Sequence, residues 1–282
     1  LAAHKGYRVI GIDTNKEKIK SINKRISPFQ DKVIQEAMDK APQIKATSDF
    51  QKIKGASIII ICVPTPVHQN HTPDLSPVIG ACENIAPYLQ KDALVVVEST
   101  VNPGVCESVV IPTIEKTAGL NVGQDYLLAH CPERINPGDS TWNVENISRV
   151  LGGFDKKSLD KALAFYRSLI SAPIKSMDSL KEAEAVKVVE NSFRDINIAF
   201  VNELAMSFTK LGIDVVNVIE GAASKPFAFM SHLPGCGVGG HCIPVDPYYL
   251  IDYAKQNGFH HDFLALARRI NNEMPEFTVE QT

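Results

Sequence analysis

The 282-residue sequence predicts an α/β fold, in which a doubly wound parallel sheet is followed by a helical region. Two observations carry this prediction. From about residue 7 to residue 177, short and uniformly apolar runs alternate with helix-length stretches, as buried parallel strands alternate with crossover helices. After residue 177 the alternation stops, and a long stretch without proline or internal glycine begins. The first region is therefore predicted to be Rossmann-like.

Five apolar runs are predicted as strands of this sheet. They lie at 7–13, 57–63, 94–100, 126–131 and 149–153. The stretches between them, such as KEKIKSINK and SPVIGACENIAPYL, are predicted as crossover helices. The opening residues LAAHKG are interpreted as the last turn of a helix that Gly6 closes. We therefore expect residues upstream of Leu1, including the first strand of the sheet.

The helical region is predicted to span residues 178–282, after an N-terminally truncated dinucleotide-binding domain at 1–177. Residues 179–212 are predicted as one helix that ends at Gly212, and a helix of this length is expected to connect two domains or two subunits. A homodimer or larger oligomer through this helix is the expectation. Further helices are predicted at 214–223, from Pro247 and near His261.

Composition and charge narrow the class of protein. The net charge is −3, so neither nucleic acid nor an anionic membrane is indicated as a partner. No apolar run approaches the roughly 20 residues of a membrane-spanning helix. The six cysteines are scattered and form no CxxC pairs, which argues against a disulfide framework and against a structural zinc site. We therefore expect a cytoplasmic protein without a bound metal.

Four segments lie at the ends of predicted strands, at the edge where doubly wound sheets bind ligands. Asp13 ends the first strand, where it is either a ribose-binding carboxylate or the N-cap of the next helix. The loops CVPTP at 62–66 and ESTVNPG at 98–104 either form turns or line a ligand crevice. Glu133 and Arg134 follow a fourth strand as either a surface pair or, for the carboxylate, a group that orients water.

On the long helix, Lys187, Asn191 and Arg194 share one face. This face is either solvated or suited to polarising a substrate oxygen. The glycine-rich stretch LPGCGVGGHCIPVDPYY contains Cys242, which is either an inert thiol or a reactive thiolate with a lowered pKa beside a helix start. Asp246 and Pro247 are predicted to cap and begin the following helix.

Six stretches, taken in order, resemble the UDP-glucose/GDP-mannose dehydrogenase family over essentially the whole chain. They are GIDTN, CVPTP, ESTVNPG, CPERINPGD, EAEAVKVVENSFRDINIAFVNELA and PGCGVGGHCIPVDPYYL. The resemblance implies an NAD-dependent enzyme that oxidises the C6 alcohol of a nucleotide sugar to a carboxylate, which feeds the synthesis of surface polysaccharide. The family also has a glycine-rich turn upstream and a C-terminal UDP-binding domain, so we expect this chain to be a fragment that is inactive alone.

The resemblance assigns a catalytic role to six residues. Cys242 matches the nucleophile that forms a thiohemiacetal and then a thioester with C6. Lys187 and Asn191 match the pair that holds the C6 oxygen. Asp246 matches the residue that assists water and proton transfer. The water-organising positions are matched by Thr100 and Glu133.

The same resemblance assigns the binding residues. Asp13 matches the contact with the NAD ribose. The nicotinamide side is matched by Val63, Pro64, Thr65, Ser99 and Thr100. The UDP-sugar side is matched by Glu133, Arg134, Arg194, Gly235, Gly237, Gly239, Gly240 and His241.

The substrate branch is indicated by one position and two stretches of sequence. UDP-glucose members tend to carry a second glutamate four residues after Glu133, where this sequence has Pro137. PERINPG and NSFRDINIAFVNELA look more like the branch that oxidises UDP-N-acetylmannosamine or UDP-N-acetylglucosamine, and Arg194 is the candidate contact near the acetamido group. The alternatives are a UDP-glucose or GDP-mannose 6-dehydrogenase, a single-step hydroxyacid or 6-phosphogluconate-type dehydrogenase, and an inactive dimerising module.

Overall fold

The computed structural model describes residues 1–29, 32–41, 43–135, 141–240 and 242–282, without the side chain of Val33. The chain forms two compact units. The first unit contains Leu1–Pro64, Ser76–Ser99 and Gly104–Glu184. The second contains Thr65–Leu75, Thr100–Pro103 and Ala185–Thr282.

The first unit contains seven strands in its described residues, arranged as two sheets. Strands β1 (Ile10–Ile12) and β2 (Lys45–Thr47) form a parallel pair. The second sheet has the order β3 (Ile58–Ile61), β4 (Ala93–Val97), β5 (Tyr126–His130), β6 (Arg149–Gly153) and β7 (Ile174–Ser176). The predicted α/β class and all five predicted strands are confirmed, whereas the short strands β2 and β7 were not predicted.

The direction of β6 corrects the prediction of a parallel strand. Strands β3, β4 and β5 are parallel, but β6 runs antiparallel to β5, with Ala129 opposite Gly153 and His130 opposite Gly152. This register places Arg149, the first residue of β6, beyond the carboxyl end of β5. Gly152 also allows β6 to approach the backbone of Ser179 closely, because a Cβ atom at residue 152 would lie 2.4 Å from the carbonyl oxygen of Ser179.

Helices accompany the strands of both sheets. In the first unit they are α1 (Lys16–Asn23), α2 (Lys32–Asp39), α3 (Ser76–Ile85), α4 (Ile111–Ala118) and α5 (Lys156–Leu169). Strands β4 and β5 are completely buried along their length, because apolar side chains point to both faces. One core cluster joins these strands to α5 through residues such as Leu94, Leu127 and Phe165.

The helical region begins with α6 (Leu180–Leu211), which confirms the predicted long helix to within one residue at each end. Gly212 follows it with a φ of 66°, as expected for a helix that ends in the left-handed conformation. The remaining helices are α7 (Val215–Ala223), α8 (Asp246–Gln256) and α9 (Asp262–Glu280). Among the described residues, no helix is long and apolar enough to cross a membrane.

Candidate functional site

Asp13 stands directly after β1 in the first unit, as predicted, but it does not cap α1. The cap is Asn15, whose Oδ1 accepts hydrogen bonds from the backbone N–H groups of Glu17 and Lys18. Asp13 instead accepts a hydrogen bond of 2.7 Å from the backbone N–H of Asn15. Lys18 Nζ lies 3.7 Å from its other oxygen. The carboxylate is therefore oriented at the end of the strand while remaining about a third exposed.

The ends of β1, β3 and β4 meet at one edge of the first unit. Ser99 Oγ, after β4, donates a hydrogen bond of 2.8 Å to the carbonyl oxygen of Val63, after β3. Burial raises the pKa of the Cys62 thiol, and the negative charges of Glu98 and Asp13 raise it further. The three strand ends are therefore close enough to interact electrostatically. A shared edge of this kind was predicted for these loops.

The second unit contains the continuations of the same two loops. Thr65 Oγ1 donates a hydrogen bond of 2.7 Å to the carbonyl oxygen of Thr100. Tyr249, on α8, donates from its hydroxyl to the carbonyl oxygen of Thr65 at 2.6 Å. Pro64, just before Thr65, is exposed. Hydrogen bonds therefore connect the loop at Thr65 to the loop at Thr100 and to α8.

Glu133 is held by the side chain of Arg149, which was not predicted from the sequence, and by two backbone N–H groups. Its Oε2 lies 2.6 Å from the Arg149 guanidinium, and its Oε1 accepts hydrogen bonds from the backbone N–H groups of Arg134 and Ile135. The guanidinium of Arg149 is buried and also lies 3.9 Å from Glu98. The antiparallel direction of β6 explains this contact, because it brings Arg149 to the end of β5.

Glu98 is a second carboxylate beside the same guanidinium. Burial raises its pKa, although the Tyr166 hydroxyl, 2.5 Å away, and the charge of Arg149 oppose this shift. Arg134 is positioned separately, since its guanidinium donates to the carbonyl oxygen of Ser148 at 2.9 Å. Glu133 thus forms its ion pair with Arg149, which is distant in sequence, and of the two alternatives the surface pair with Arg134 is not observed among the described residues.

A buried group of Cys106, His130 and Glu184 has ligand-type atoms within 4.8 Å of one another. Both Glu184 oxygens are already used, because they accept hydrogen bonds from the backbone N–H groups of Gly104 and Cys106. These N–H groups open the π-helical segment Cys106–Val110, which leads into α4. Glu184 is therefore explained as an interior helix cap, since a carboxylate is favourable at a helix N-terminus.

Two proposed catalytic residues meet in the second unit. Asn191, on α6, donates from Nδ2 to Asp246 Oδ2 at 2.5 Å, and both side chains are buried. Burial raises the pKa of Asp246 to about 6, despite the opposing effects of Asn191 and the charge of Lys187. Asp246 does not cap α8, because the N-cap position is Val245 and Asp246 is the first helical residue. The predicted cap is wrong, and the carboxylate points to α6 instead.

The charges of Asp246 and Lys187 also act on the thiol of Cys242. Its carbonyl oxygen accepts hydrogen bonds from the backbone N–H groups of Asp246, at 2.8 Å, and Val245, at 3.1 Å. Partial burial raises the pKa of its thiol, and the charge of Asp246 raises it further, while the charges of Lys187 and Arg194 act in the opposite direction. Of the two alternatives given for Cys242, a lowered thiol pKa is therefore contradicted, because burial and the nearby carboxylate outweigh the two cations.

The predicted face of α6 is not uniformly solvated. Asn191 is buried, Lys187 is half-buried and Arg194 is exposed. The three residues therefore run from the interior to the surface of the second unit. Asn191 is a buried amide beside Asp246, a carboxylate with a raised pKa. This arrangement favours a functional role for this face of α6 over a solvated surface.

The glycine-rich segment is tied to α6 and α9. The backbone N–H of Gly235 donates to Asn202 Oδ1 at 3.0 Å. Gly237 has a φ of 99°, and a Cβ atom there would lie 2.7 Å from the carbonyl oxygen of Asn271, so this position requires glycine. Gly239 and Gly240 are exposed. The predicted substrate residue His241 and the branch-specific position Pro137 lie outside the described residues.

The second unit thus brings together a thiol, a carboxylate whose pKa is raised to about 6, a buried amide and two cations. Thiols act as nucleophiles toward carbonyl carbon, and carboxylates with raised pKa values act as general bases near their pKa. Cations and amide N–H groups stabilise oxygen that becomes negatively charged. The chemistry that this set can perform is nucleophilic attack on a carbonyl group with proton transfer.

Two family models match the chain. Residues 1–170 match the NAD binding domain of the UDP-glucose/GDP-mannose dehydrogenase family, and residues 181–273 match the central domain of the same family. The chain is 38% identical to a UDP-N-acetyl-D-glucosamine 6-dehydrogenase from Pseudomonas aeruginosa, over 97% of this chain and 64% of that protein. It is also 38% identical to a UDP-N-acetyl-D-mannosamine dehydrogenase from Pyrococcus horikoshii, over 98% of this chain and 65% of that protein.

Solved structures of other dehydrogenases are also similar to this chain. The structure of a UDP-D-ManNAc dehydrogenase from Pyrococcus horikoshii superposes with a TM-score of 0.92 and 37% identity, over 99% of this chain and 66% of that chain. A 3-hydroxyisobutyrate dehydrogenase from Mycobacterium tuberculosis, with a TM-score of 0.66 and 13% identity, shares the fold alone. The chain therefore spans somewhat less than two thirds of the length of the curated relatives it matches.

Proposed function

Because the chain belongs to the UDP-glucose/GDP-mannose dehydrogenase family, we propose that it forms the dinucleotide-binding and catalytic part of a nucleotide-sugar 6-dehydrogenase. The proposed reaction oxidises the C6 alcohol of a UDP-N-acetylhexosamine to the carboxylate with NAD. One observation carries the proposal. Asn191, Asp246, Lys187 and Cys242 interact within one unit, as a thiol-dependent oxidation of an aldehyde requires.

The first unit fits the proposed cofactor. Asp13 presents a partly exposed carboxylate after β1, where an acidic residue accepts hydrogen bonds from a dinucleotide ribose. The loops after β3 and β4 lie at the same edge and are linked by the hydrogen bond from Ser99 to Val63. NAD bound there would accept the hydride of one oxidation, and a second NAD molecule that replaces the NADH would accept the hydride of the other.

The chemical steps at C6 of the sugar are assigned to residues of the second unit. Lys187 and Asn191 hold the oxygen at C6, first as the alcohol loses its proton and a hydride to become an aldehyde. The Cys242 sulfur then adds to the aldehyde carbon, the C=O double bond becomes a single bond, and a proton replaces the thiol proton on the former aldehyde oxygen, which gives a thiohemiacetal. Loss of a second hydride and proton gives a thioester, and water hydrolyses it to the carboxylate and the free thiol.

Proton transfer is the proposed role of Asp246. Its pKa of about 6 makes it mostly ionised at neutral pH and still basic enough to accept a proton from the thiol or from water. A base is needed because the pKa of the Cys242 thiol is raised. Thr100 and Glu133 are proposed to organise the water, and Arg149 fixes the orientation of the Glu133 carboxylate.

The sugar is proposed to carry an N-acetyl group. The two relatives compared above act on UDP-N-acetyl-D-glucosamine and UDP-N-acetyl-D-mannosamine, as their names state. Arg194, exposed and one turn beyond Asn191, is the proposed contact near the acetamido group, with Arg134 as a further substrate contact. The backbone of the glycine-rich segment 235–240 is proposed to follow the sugar.

The test counts NADH formed per UDP-N-acetylhexosamine consumed by the product of the complete reading frame. About two NADH per sugar are expected, because the alcohol and the thiohemiacetal are each oxidised once. Cys242→Ser is expected to stall after the first oxidation and give at most about one NADH per sugar, because the weakly nucleophilic hydroxyl cannot carry the thioester. Cys236→Ser, at an exposed cysteine of the same segment, is the matched control and should leave the ratio unchanged.

A ratio of about one that is the same for Cys242→Ser would contradict the thioester route and favour a single-step dehydrogenase. NADH formation from UDP-glucose or GDP-mannose, with none from either acetamido sugar, would reject the proposed substrate. A complete protein that forms oligomers but oxidises no sugar would favour the structural alternative.

We further propose that the chain forms a homodimer through α6. The helix carries apolar side chains that are about half exposed, including Phe193 and Phe200. Phe200 lines a groove of about 280 Å³ together with Phe263 and Leu266 of α9. Exposed apolar surface of this kind is typical of a protein–protein interface.

Phe200→Glu is expected to halve the solution mass measured by light scattering, because a charge in the centre of an apolar interface is not compensated. Val279→Glu is the control, since Val279 is an exposed apolar residue near the end of α9. A mass that is unchanged by Phe200→Glu, or equally reduced by Val279→Glu, would contradict an interface at this groove.

A further inference from the structure

A chain of buried polar side chains connects α9 and α6 with the glycine-rich segment. Arg268 donates to Asp195 Oδ1 at 2.5 Å, and Asn271 Nδ2 donates to the same oxygen at 2.8 Å. Asn202 Nδ2 donates to Asn271 Oδ1 at 2.8 Å, and Asn202 Oδ1 accepts from the backbone N–H of Gly235 at 3.0 Å. All four side chains are at most 5% exposed.

The direction of every hydrogen bond in this chain follows from the ion pair. The Asp195 carboxylate, beside the guanidinium, only accepts hydrogen bonds, so the amide nitrogen of Asn271 must face it. The amide oxygen of Asn271 then faces Asn202, which must donate its own nitrogen. The remaining oxygen of Asn202 is left to accept from Gly235. The network therefore offers one acceptor, with one orientation, to the start of the glycine-rich segment.

Further contacts restrain the segment on both sides of its middle. Gly237 passes so close to α9 that a Cβ atom would lie 2.7 Å from the carbonyl oxygen of Asn271. After the segment, the carbonyl oxygen of Cys242 accepts the first N–H groups of α8. The backbone that leads to Cys242 is thus attached before and after its exposed glycines.

We propose that Asn202 is a positioning residue, which fixes the path of segment 235–240 and through it the position of the Cys242 thiol. The role of Cys242 rests on the proposed function, whereas the anchor at Gly235 does not. Asn202 touches no reacting atom in this assignment. It acts by presenting a buried, oriented acceptor that a flexible glycine-rich backbone cannot supply for itself.

The test compares Asn202→Ala with Asn202→Asp, whose carboxyl group is protonated because it is buried and so keeps both the donor to Asn271 and the acceptor for the Gly235 N–H. Two quantities are measured in the intact chain, namely hydrogen exchange in peptides covering 233–240 and the rate at which iodoacetamide alkylates Cys242 at fixed pH, resolved by peptide mapping. Asn202→Ala is expected to speed both by about tenfold or more, because the loss of about 1.4 kcal/mol from the anchored state has that effect. Asn202→Asp is expected to stay closer to the unsubstituted chain. Asn257→Ala is the control, because the side chain of this exposed asparagine, the C-cap of α8, donates to the carbonyl oxygen of Tyr253 and is not part of the network.

Gly237→Ala provides a second route, because its Cβ atom displaces the segment from α9 without removing a side chain of the network. It is also expected to speed the alkylation of Cys242. Unchanged alkylation in both Asn202→Ala and Gly237→Ala would overturn the proposal. So would equal exchange in Asn202→Ala and Asn202→Asp, or faster exchange throughout α6 and α9. None of these measurements needs turnover, so an enzyme that fails to oxidise any sugar leaves their outcome unaffected.

Discussion

Arg268→Met is expected to lower the melting temperature of the chain by roughly 10 °C, from a loss of about 3 to 5 kcal/mol in unfolding free energy. The reason is the uncompensated charge that it leaves behind. Asp195 is completely buried and pairs with Arg268 at 2.5 Å. Burial already raises the pKa of Asp195, and the guanidinium and Asn271 oppose that shift. Thermal unfolding followed by circular dichroism gives the measurement.

The neighbouring residue provides the control. Arg269 is exposed and forms a helical surface pair with Glu273 at 3.7 Å, so Arg269→Met should cost less than about 1 kcal/mol. A double variant, Asp195→Leu with Arg268→Met, should recover part of the loss, because neither charge then remains buried. Equal effects of Arg268→Met and Arg269→Met would contradict the assignment of a buried, paired charge.

Asp246→Asn is expected to stabilise the chain at pH 8 by about 2 to 3 kcal/mol and to leave its stability nearly unchanged at pH 4. The fold raises the pKa of Asp246 from 3.8 to about 6, so the folded state binds this proton more tightly than the unfolded state does. The stabilising contribution of the protonated carboxyl is complete below about pH 4 and is lost as the pH rises through about 6. Asparagine keeps an oxygen that accepts from Asn191 and carries no charge.

Melting temperatures measured from pH 4 to pH 8 test this expectation. The difference between Asp246→Asn and the unsubstituted chain should grow with pH and level off above about pH 7. Asp252→Asn, on the same helix, replaces a half-buried carboxylate that accepts from Gln256 and should change the melting temperature little at either pH. A difference that is constant with pH would mean that the fold does not favour the protonated form of Asp246.

The sequence predicts well those helices and strands that their local pattern of residues is sufficient to identify. Helix α6 was predictable because no proline or internal glycine interrupts 179–212 and because Gly212 ends it. The run RVLGG was recognisable as a strand, but an apolar run has the same composition in either direction. The antiparallel pairing of β6, which carries Arg149 to Glu133, therefore could not be read from the sequence.

The residues of the candidate site were predictable from sequence motifs, but their burial and the charges around them were less so. The motif placed Asn191 and Asp246 together, and the structure shows them hydrogen-bonded. The direction of the Cys242 pKa was mispredicted, because the glycine-rich motif indicates exposed N–H groups but not the burial of the thiol or the carboxylate nearby. The anchoring network was missed because its ion pair joins residues 73 positions apart in sequence, Asp195 and Arg268.

The one-sided pairing of β3 determines where the larger sheet can be extended. Among the described strands, β3 pairs only with β4, which leaves one edge of Ile58–Ile61 without strand partners, and Ile60 is 37% exposed. The backbone N–H and C=O groups along such an edge can pair with a further extended segment. The larger sheet therefore has room for another strand beside four isoleucines.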